Sequence, residues 1–304
     1  MEDLFLKIKE KALDLGFSAC GISACTSIEK ITTNRFQKSI DNHIIADMQF
    51  LNRNKEKRFN PQLLFEPVKS IIVVLANYYQ TYTFGESSFQ IAKYALGKDY
   101  HIVIKDKLKE LQRYIEQLEP NSQNRCFCDT APVMEKYLAS HCGLGWIGKN
   151  TLLITKTGSY HFIGTIFTSL NLPTEQNKEN NSCSNCNLCE KACPNNALKN
   201  YQLDARKCYS YQSIENKKEI NSNIKASNYI YGCDICQQVC PYNKNASPTT
   251  INEFLPKKNL QKMCTQDWIN LTETEFHQLF EDSAIKRIGY AKFMNNILFA
   301  KQSK

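Results

Sequence analysis

Two short cysteine runs constrain this chain more than anything else in it. The first, "CSNCNLCEKACP" (183–194), is a complete C-x2-C-x2-C-x3-C-P sequence. That spacing wraps three thiolates around one face of a four-iron cubane and sends the fourth to a neighbouring cluster. The second, "YGCDICQQVCP" (231–241), keeps the last three cysteines and the proline, with Ile230 where the first cysteine belongs. Four-thiolate zinc sites also use C-x2-C pairs, but zinc has no need of the Cys-Pro ending. With the fourth ligands exchanged, Cys183, Cys186 and Cys189 are completed by Cys240, and Cys193 joins Cys233 and Cys236. The second set still lacks a thiolate, and the only other cysteine between the runs is Cys208, in "ARKCYSYQSIE". The expectation is two 4Fe-4S clusters, one with a ligand displaced upstream, carrying single electrons from a surface to a buried acceptor.

Seven of the fourteen cysteines fall in these two runs, which argues against scattered core thiols. Cytosolic chains rarely use cysteine for disulfides, so clustering favours metal or redox chemistry. The start, "MEDLFLKIKEKALDLGF", mixes acids and lysines through its apolar positions and is no signal peptide. The longest apolar stretch, Ile71 to Ala76, is too short to span a bilayer. The cytoplasm is therefore the expected compartment, with no membrane partner. The formal charge of +8 falls to roughly +4 once eight thiolates and two oxidised cores are counted. That balance is compatible with a nucleic-acid partner without requiring one.

The expected fold is of the α+β or α/β kind, in three parts. Residues 1–172 alternate strand and helix as an α/β domain. An opening helix carries Leu4, Phe5, Ile8, Ala12 and Leu15 on one face. "SIIVVLANYY" (70–79) suits a buried strand, and 99–119 has helical spacing through Ile104, Leu108, Leu111, Ile115 and Leu118. "TLLIT" (151–155) and "SYHFIGTIFTSL" (159–170) read as a hairpin across Gly158. The polar stretch 171–182 reads as a surface linker. Residues 173–246 form a ferredoxin-like double-cluster module. Residues 247–304 form a short, basic, helical segment, with Ile285, Ile288, Phe293, Ile297 and Leu298 toward a core and Lys286, Arg287 and Lys292 in water.

A bare ferredoxin would need only the middle of this chain, so the attached domain implies that the clusters feed a catalytic site. The best candidate is "CFCDTAPVMEKYLASHCGLGWIGKNTLLI" (126–154). Pro132 suits the first turn of a following helix, and Asp129 or Thr130 has a bland role open to it as that helix's N-cap. The glycine-rich turn at 143–150 lets backbone approach a ligand closely. Cys126, Cys128 and Cys142 read as packing residues, and Cys20, Cys25 and Cys264 as structural. His101 and His141 are equally placed to touch a cofactor or to sit hydrogen-bonded in the core.

The chain resembles the epoxyqueuosine reductase family. The resemblance rests on "RFNPQLLFEPVKSIIVV", "DTAPVMEKYLASHCGLGWIGKNTLLI", "CSNCNLCEKACPNNAL", "KCYSYQSIE", "YGCDICQQVCPYN" and "SAIKRIGYAKFMNNI", in order over nearly the whole length. It implies a cobalamin bound base-off in the N-terminal domain and reduced by the clusters to a nucleophilic Co(I). The implied substrate is tRNA carrying epoxyqueuosine at the wobble position, and the implied product is the alkene of queuosine. Asp129 resembles the family's proton donor; such a donor contributes roughly 10²–10⁴ in rate. Acting this way calls for a raised pKa, expected if the corrin, Phe127 and Trp146 exclude water. By the same resemblance Arg58, Lys149 and Asn150 lie near the cofactor, and Lys286 and Arg287 in the tail that faces tRNA. An external flavodoxin- or ferredoxin-type donor and a monomeric state complete the expectation. The chain departs from the family at Tyr242, where tryptophan is expected, and in lacking the C-terminal helical repeats of longer members. The competing readings are another cobalamin and iron–sulfur reductase, such as a reductive dehalogenase, and a ferredoxin-type electron-transfer protein.

Overall fold

The computed structural model describes residues 1–82, 84, 87–174 and 182–303. The N-terminal part runs α1 (Glu2–Asp14), β1 (Ala19–Ala24), α2 (Lys30–Asp41), α3 (Lys55–Phe59), β2 (Ser70–Asn77), β3 (Gln90–Ile91), α4 (Tyr100–Leu118), β4 (Asn124–Phe127), α5 (Glu135–His141), β5 (Trp146–Ile147), β6 (Leu153–Ile154) and β7 (His161–Thr168). The middle contains α6 (Leu188–Ala192), β8 (Leu198–Lys199), β9 (Gln202–Leu203), α7 (Tyr209–Ile214), β10 (Tyr229–Tyr231) and α8 (Ile235–Gln238). The rest is helical: α9 (Lys258–Lys262), α10 (Thr265–Ile269), α11 (Glu273–Leu279) and α12 (Gly289–Ala300). Of the expected linker, residues 175–181 lie outside the described residues. No helix among the described residues is long and apolar enough to cross a membrane.

The main sheet has the order β1-β2-β7-β4, and every pair in it is antiparallel. Strand and helix do alternate along the chain, but the arrangement is α+β rather than a parallel α/β sheet. The register explains why. Ala24 pairs with Ser70, so the whole 25–69 connection leaves and re-enters at one end of the sheet. Strand β2 is buried on both faces, and successive side chains point opposite ways. Ile72, Val74 and Ala76 pack with α1 and α4 residues such as Ile8, Ile104 and Leu108. Ile71, Val73 and Leu75 pack with Leu138 and Ala139 of α5. A strand covered on two sides needs the continuous apolar run found there.

The expected 151–170 hairpin does not form. β6 pairs instead with β5, Trp146 opposite Ile154 and Ile147 opposite Leu153. An isolated bridge, Thr155 to Gly158, closes the turn between the two predicted strands. β7 is drawn away by its longer pairings with β2 and β4.

A second core is mostly aromatic. It gathers Trp268, Phe276, Phe280, Phe293 and Ile297 of the C-terminal helices with Phe89, Leu96, Ile230 and Tyr231. β10 lies parallel to β3 and stitches residues 229–231 to 90–91. Ile285, Phe293 and Ile297 are buried as expected, whereas Leu298 is 57% exposed. The buried stripe of α12 is Phe293, Asn296, Ile297 and Ala300, a helical spacing that leaves Leu298 on the outer face. Asn296 Nδ2 donates there to Ser213 O and Ile230 O, while its Oδ1 is buried without a partner. Lys292 is half-buried and donates to Lys218 O.

A buried polar network seats the second cysteine run on the sheet domain. Gln237 Nε2 donates to Tyr78 Oη at 3.1 Å and to Ser159 O at 3.0 Å. Ser159 N–H donates to Asn243 Oδ1 at 2.7 Å, and Asn243 Nδ2 donates to Gln237 O at 2.7 Å. Gly158 has φ +105, and a Cβ there would stand 2.5 Å from Asn243 Oδ1. The seat therefore admits only glycine without rearrangement.

Candidate active site and cluster module

Asp129 follows β4 with φ +59, a left-handed conformation that aspartate tolerates better than most residues. Its N–H donates to Glu135 Oε1 at 2.7 Å, so the first residue of α5 pins the bend. Residues 130–133 pass through tight turns closed by Thr130 N to Cys128 O and Val133 N to Ala131 O. The helix therefore starts only at Glu135, after Met134. Pro132 lies ahead of the helix, and neither Asp129 nor Thr130 caps it, contrary to the sequence expectation.

The first turn of α4 faces Asp129. Asp99 is the N-cap, accepting the His101 N–H at 2.9 Å, and the same Oδ1 lies 2.7 Å from His101 Nδ1. One carboxylate thus starts the helix and orients the imidazole. His101 Nε2 stands 3.1 Å from Asp129 Oδ2, and Tyr100 Oη donates to that oxygen at 2.6 Å. The His101 ring stacks on Tyr100 at 4.1 Å, and Tyr100 on Phe162 at 4.3 Å. The Asp129 side chain remains 56% exposed, open to a substrate.

These contacts shift the two groups in opposite directions. The hydrogen bonds to Asp129 and Asp99 raise His101 to about 9, against the opposing effect of burial. The His101 hydrogen bond, with help from Tyr100, holds Asp129 below the usual carboxylate range although burial opposes it. The expected raised pKa of Asp129 is therefore not found. Phe127 packs on Phe167 in the sheet core, and Trp146 packs with Ile154 and Cys240. What binds the Asp129 carboxylate is polar and cationic. Burial pushes Glu135 up to about 8, partly offset by the N–H it accepts from Asp129.

The other expected site residues are held in different ways. Arg58 is half-buried, its guanidinium 5.8 Å from the Phe36 ring, and it feels the charges of Glu135 and Asp129. Arg58 Nε and Asn150 Nδ2 are buried without a hydrogen-bond partner. Such donors cost about 1–3 kcal/mol each when left unpaired, so both fit a bound group rich in acceptors, as the amide side chains of a corrinoid are. Lys149 turns elsewhere: its Nζ donates to Ser184 O at 2.9 Å and Cys186 O at 2.7 Å, on the first cysteine run. Lys286 is exposed and donates to Glu281 O. Arg287 makes a two-point ion pair with Glu215, and its charge is also felt at Asp129. Cys20, Cys128 and Cys142 are buried as expected; Cys25, Cys126 and Cys264 are half-buried. His141 lies 3.5 Å from Ser23 Oγ and stacks on Tyr137.

The eight cysteines of the module sort into two quartets by the fields they exert on one another. Burial raises Cys236, and Cys233, Cys208 and Cys193 raise it further. Cys233 is pushed up to about 12 by burial, with Cys208 and Cys193 contributing. In the other group, burial raises Cys240 and Cys189, and both feel Cys183 and Cys186. Among the described residues no three His, Cys, Asp or Glu side chains are gathered to hold a single metal ion. The donor set, eight soft thiols in two groups of four, fits two four-iron clusters.

Sequence reasoning missed Asp99, Tyr100 and Glu135 and weighed His101 only as one of two histidines. The available signal was "DYH" at the start of a strongly periodic helix, a cap residue two positions before a histidine.

Known proteins resemble this chain along nearly its whole length. A family model described as "Epoxyqueuosine reductase QueG, DUF1730" matches residues 58–130. A "4Fe-4S double cluster binding domain" matches 182–243, and a "4Fe-4S dicluster domain" matches 154–198. The chain is 40% identical over 306 residues to the epoxyqueuosine reductase of Leadbetterella byssophila, covering 99% of this chain and 100% of that one. It is 39% identical over 298 residues to the epoxyqueuosine reductase of Cellulophaga algicola, covering 97% of each. A crystal structure of an epoxyqueuosine reductase with an epoxyqueuosine-modified tRNA-Tyr stem loop shares the fold, with TM-score 0.90 at 23% identity over 99% of this chain and 81% of that one. A sheet domain joined to a double 4Fe-4S module defines an iron–sulfur oxidoreductase. Within that class, the chain belongs to the epoxyqueuosine reductase family.

Proposed function

We propose that this oxidoreductase converts the epoxide of epoxyqueuosine, at the wobble position of a tRNA, to the alkene of queuosine. The balance is two electrons and two protons in, and one water out. In this reading residues 1–172 hold a cobalamin and the acid, residues 173–246 hold two 4Fe-4S clusters, and residues 247–304 face the tRNA. The first cluster is bound by Cys183, Cys186, Cys189 and Cys240, the second by Cys193, Cys208, Cys233 and Cys236. When bound, the corrinoid supplies a low-valent cobalt nucleophile, and the clusters deliver its electrons one at a time.

The observation that carries the reading is the His101–Asp129 pair. Epoxide opening builds negative charge on oxygen, and a positioned acid that protonates it contributes roughly 10²–10⁴ in rate. Asp129 is open to substrate and carries its proton source behind it, on His101 Nε2, 3.1 Å away. As charge develops, the proton crosses to the carboxyl and on to the substrate oxygen, while Tyr100 holds the same carboxylate in place. Asp99 keeps the imidazole in line throughout. Arg58 and Asn150, with unpaired buried donors, are suited to grip the cofactor. Lys286 and Arg287 are suited to phosphate contact, whose contribution weakens with salt. A solved neighbour of the same fold carries a tRNA stem loop, which supports the substrate class. The enzyme is read as a cytoplasmic monomer supplied by a flavodoxin- or ferredoxin-type donor.

The test is an Asp129→Asn variant with full iron and cobalt content, assayed on epoxyqueuosine-containing tRNA. The expected result is a loss of roughly 10²–10⁴ in turnover. Normal turnover would remove Asp129 from the mechanism.

A further inference from the structure

Trp146 and Lys149 stand in one glycine-rich turn, and both address the same quartet of thiols. Trp146 is 3% exposed and packs with Ile154, Cys183, Cys240 and Tyr242. Its ring meets Tyr242 edge-on at 4.8 Å, yet its Nε1–H is buried without a hydrogen-bond partner. Lys149 Nζ is fixed by the carbonyls of Ser184 and Cys186, within the loop that bears Cys183, Cys186 and Cys189. Trp268 also has an unpaired Nε1, but it packs with Phe84, Phe280 and Phe293 in the aromatic core. Burial without a partner is common to both indoles. The setting beside two cluster thiols belongs to Trp146 alone.

We propose that this turn sets the reduction potential of the cluster held by Cys183, Cys186, Cys189 and Cys240, with Trp146 Nε1 donating to a cluster sulfur and Lys149 holding a positive charge beside it. The inference rests on the two-cluster reading above. A cluster gains one negative charge on reduction. Hydrogen bonds to its sulfurs and nearby cations favour the reduced form and raise the potential. The turn belongs to the catalytic domain and the thiols to the module, so this cluster is poised for electron delivery only where the two are docked.

The test uses the reconstituted full-length chain, with iron counted and both clusters titrated by EPR at controlled potential. Trp146→Phe and Lys149→Met are each expected to move one midpoint in the negative direction and leave the other in place. The reduced-to-oxidised ratio of that cluster should fall about tenfold at fixed potential, about 59 mV for a one-electron couple. Lys149→Arg, which keeps the charge, should restore the midpoint, and Trp268→Phe should move neither. Unmoved midpoints in both variants, at full iron content, would overturn the inference and leave the cluster assignment standing. Iron sufficient for only one cluster in the unaltered protein would overturn the assignment itself. If Lys149→Met loses a cluster outright, Trp146→Phe decides alone, and an unmoved midpoint there is the overturning result.

Discussion

At the residue scale, His101 is held between two carboxylates. Its folded pKa, about 9, lies above the ordinary 6.5, so the stability it contributes is complete below about 6.5 and lost as pH rises through about 9. Asp129 is shifted the other way, below 3.8. Its contribution is present above its ordinary value and lost as pH falls through the depressed one. The pair is intact between those limits, where a proton on His101 is available for transfer. Turnover by the unaltered enzyme should therefore fall on the alkaline side with an apparent pKa near 9. A His101→Gln variant should lose about 10- to 100-fold in rate, the worth of one charge-assisted hydrogen bond, and the alkaline limb with it. A pH–rate profile in which that limb survives the substitution would exclude the role. None of this was legible from residue types alone. Asp129 and His101 are 28 positions apart, and the sign of the Asp129 shift depends on which neighbours the fold brings to it. The cysteine runs were legible as cluster-binding segments because cluster ligation imposes short spacings that survive in the linear order.

At the scale of elements, the outcome followed periodicity closely where partners were local. Helix α4 buries Val103, Ile104, Leu108, Leu111 and Ile115, nearly the predicted stripe, because a 3.6-residue repeat is written in the segment itself. Strand pairing is a property of two segments, and there the reading failed. Nothing within 151–170 records that β6 would take β5 as its partner or that β7 would lie between β2 and β4. Close approach decides the β5–β6 pair. A Cβ on Gly145 would stand 2.3 Å from Ile154 O, far inside contact distance. Gly145→Ala should therefore destabilise the protein by about 1–3 kcal/mol, as overpacking does. The measurement is the denaturation midpoint, and an unchanged midpoint would show that the turn relaxes freely.

At the scale of the whole molecule, the docking of the second cysteine run depends on the Gln237, Asn243, Ser159 and Tyr78 network. Each group is buried, so removing one partner leaves others unsatisfied. Gln237→Ala should lower stability by about 1–3 kcal/mol, read as a lower denaturation midpoint with the iron content retained. A midpoint unchanged by the substitution would mean that apolar packing alone seats the run. The sequence reading divided the chain into a catalytic part and a cluster part. It did not show how deeply they interlock, because the residues that join them are separated by up to 164 positions.

The aromatic core shared by Phe84, Phe89, Leu96, Ile230, Tyr231 and the last helices bears on how the protein is made. A nascent chain that has left the ribosome only as far as its second cysteine run has no cover for Ile230 and Tyr231, and Asn296 is not yet there to accept the role of lid. Helix α12 packs on β10 and α7, so these elements reach their final surroundings only once the end of the chain has been made. The order of synthesis thus leaves the strand just ahead of Cys233 uncovered until the last helices have emerged.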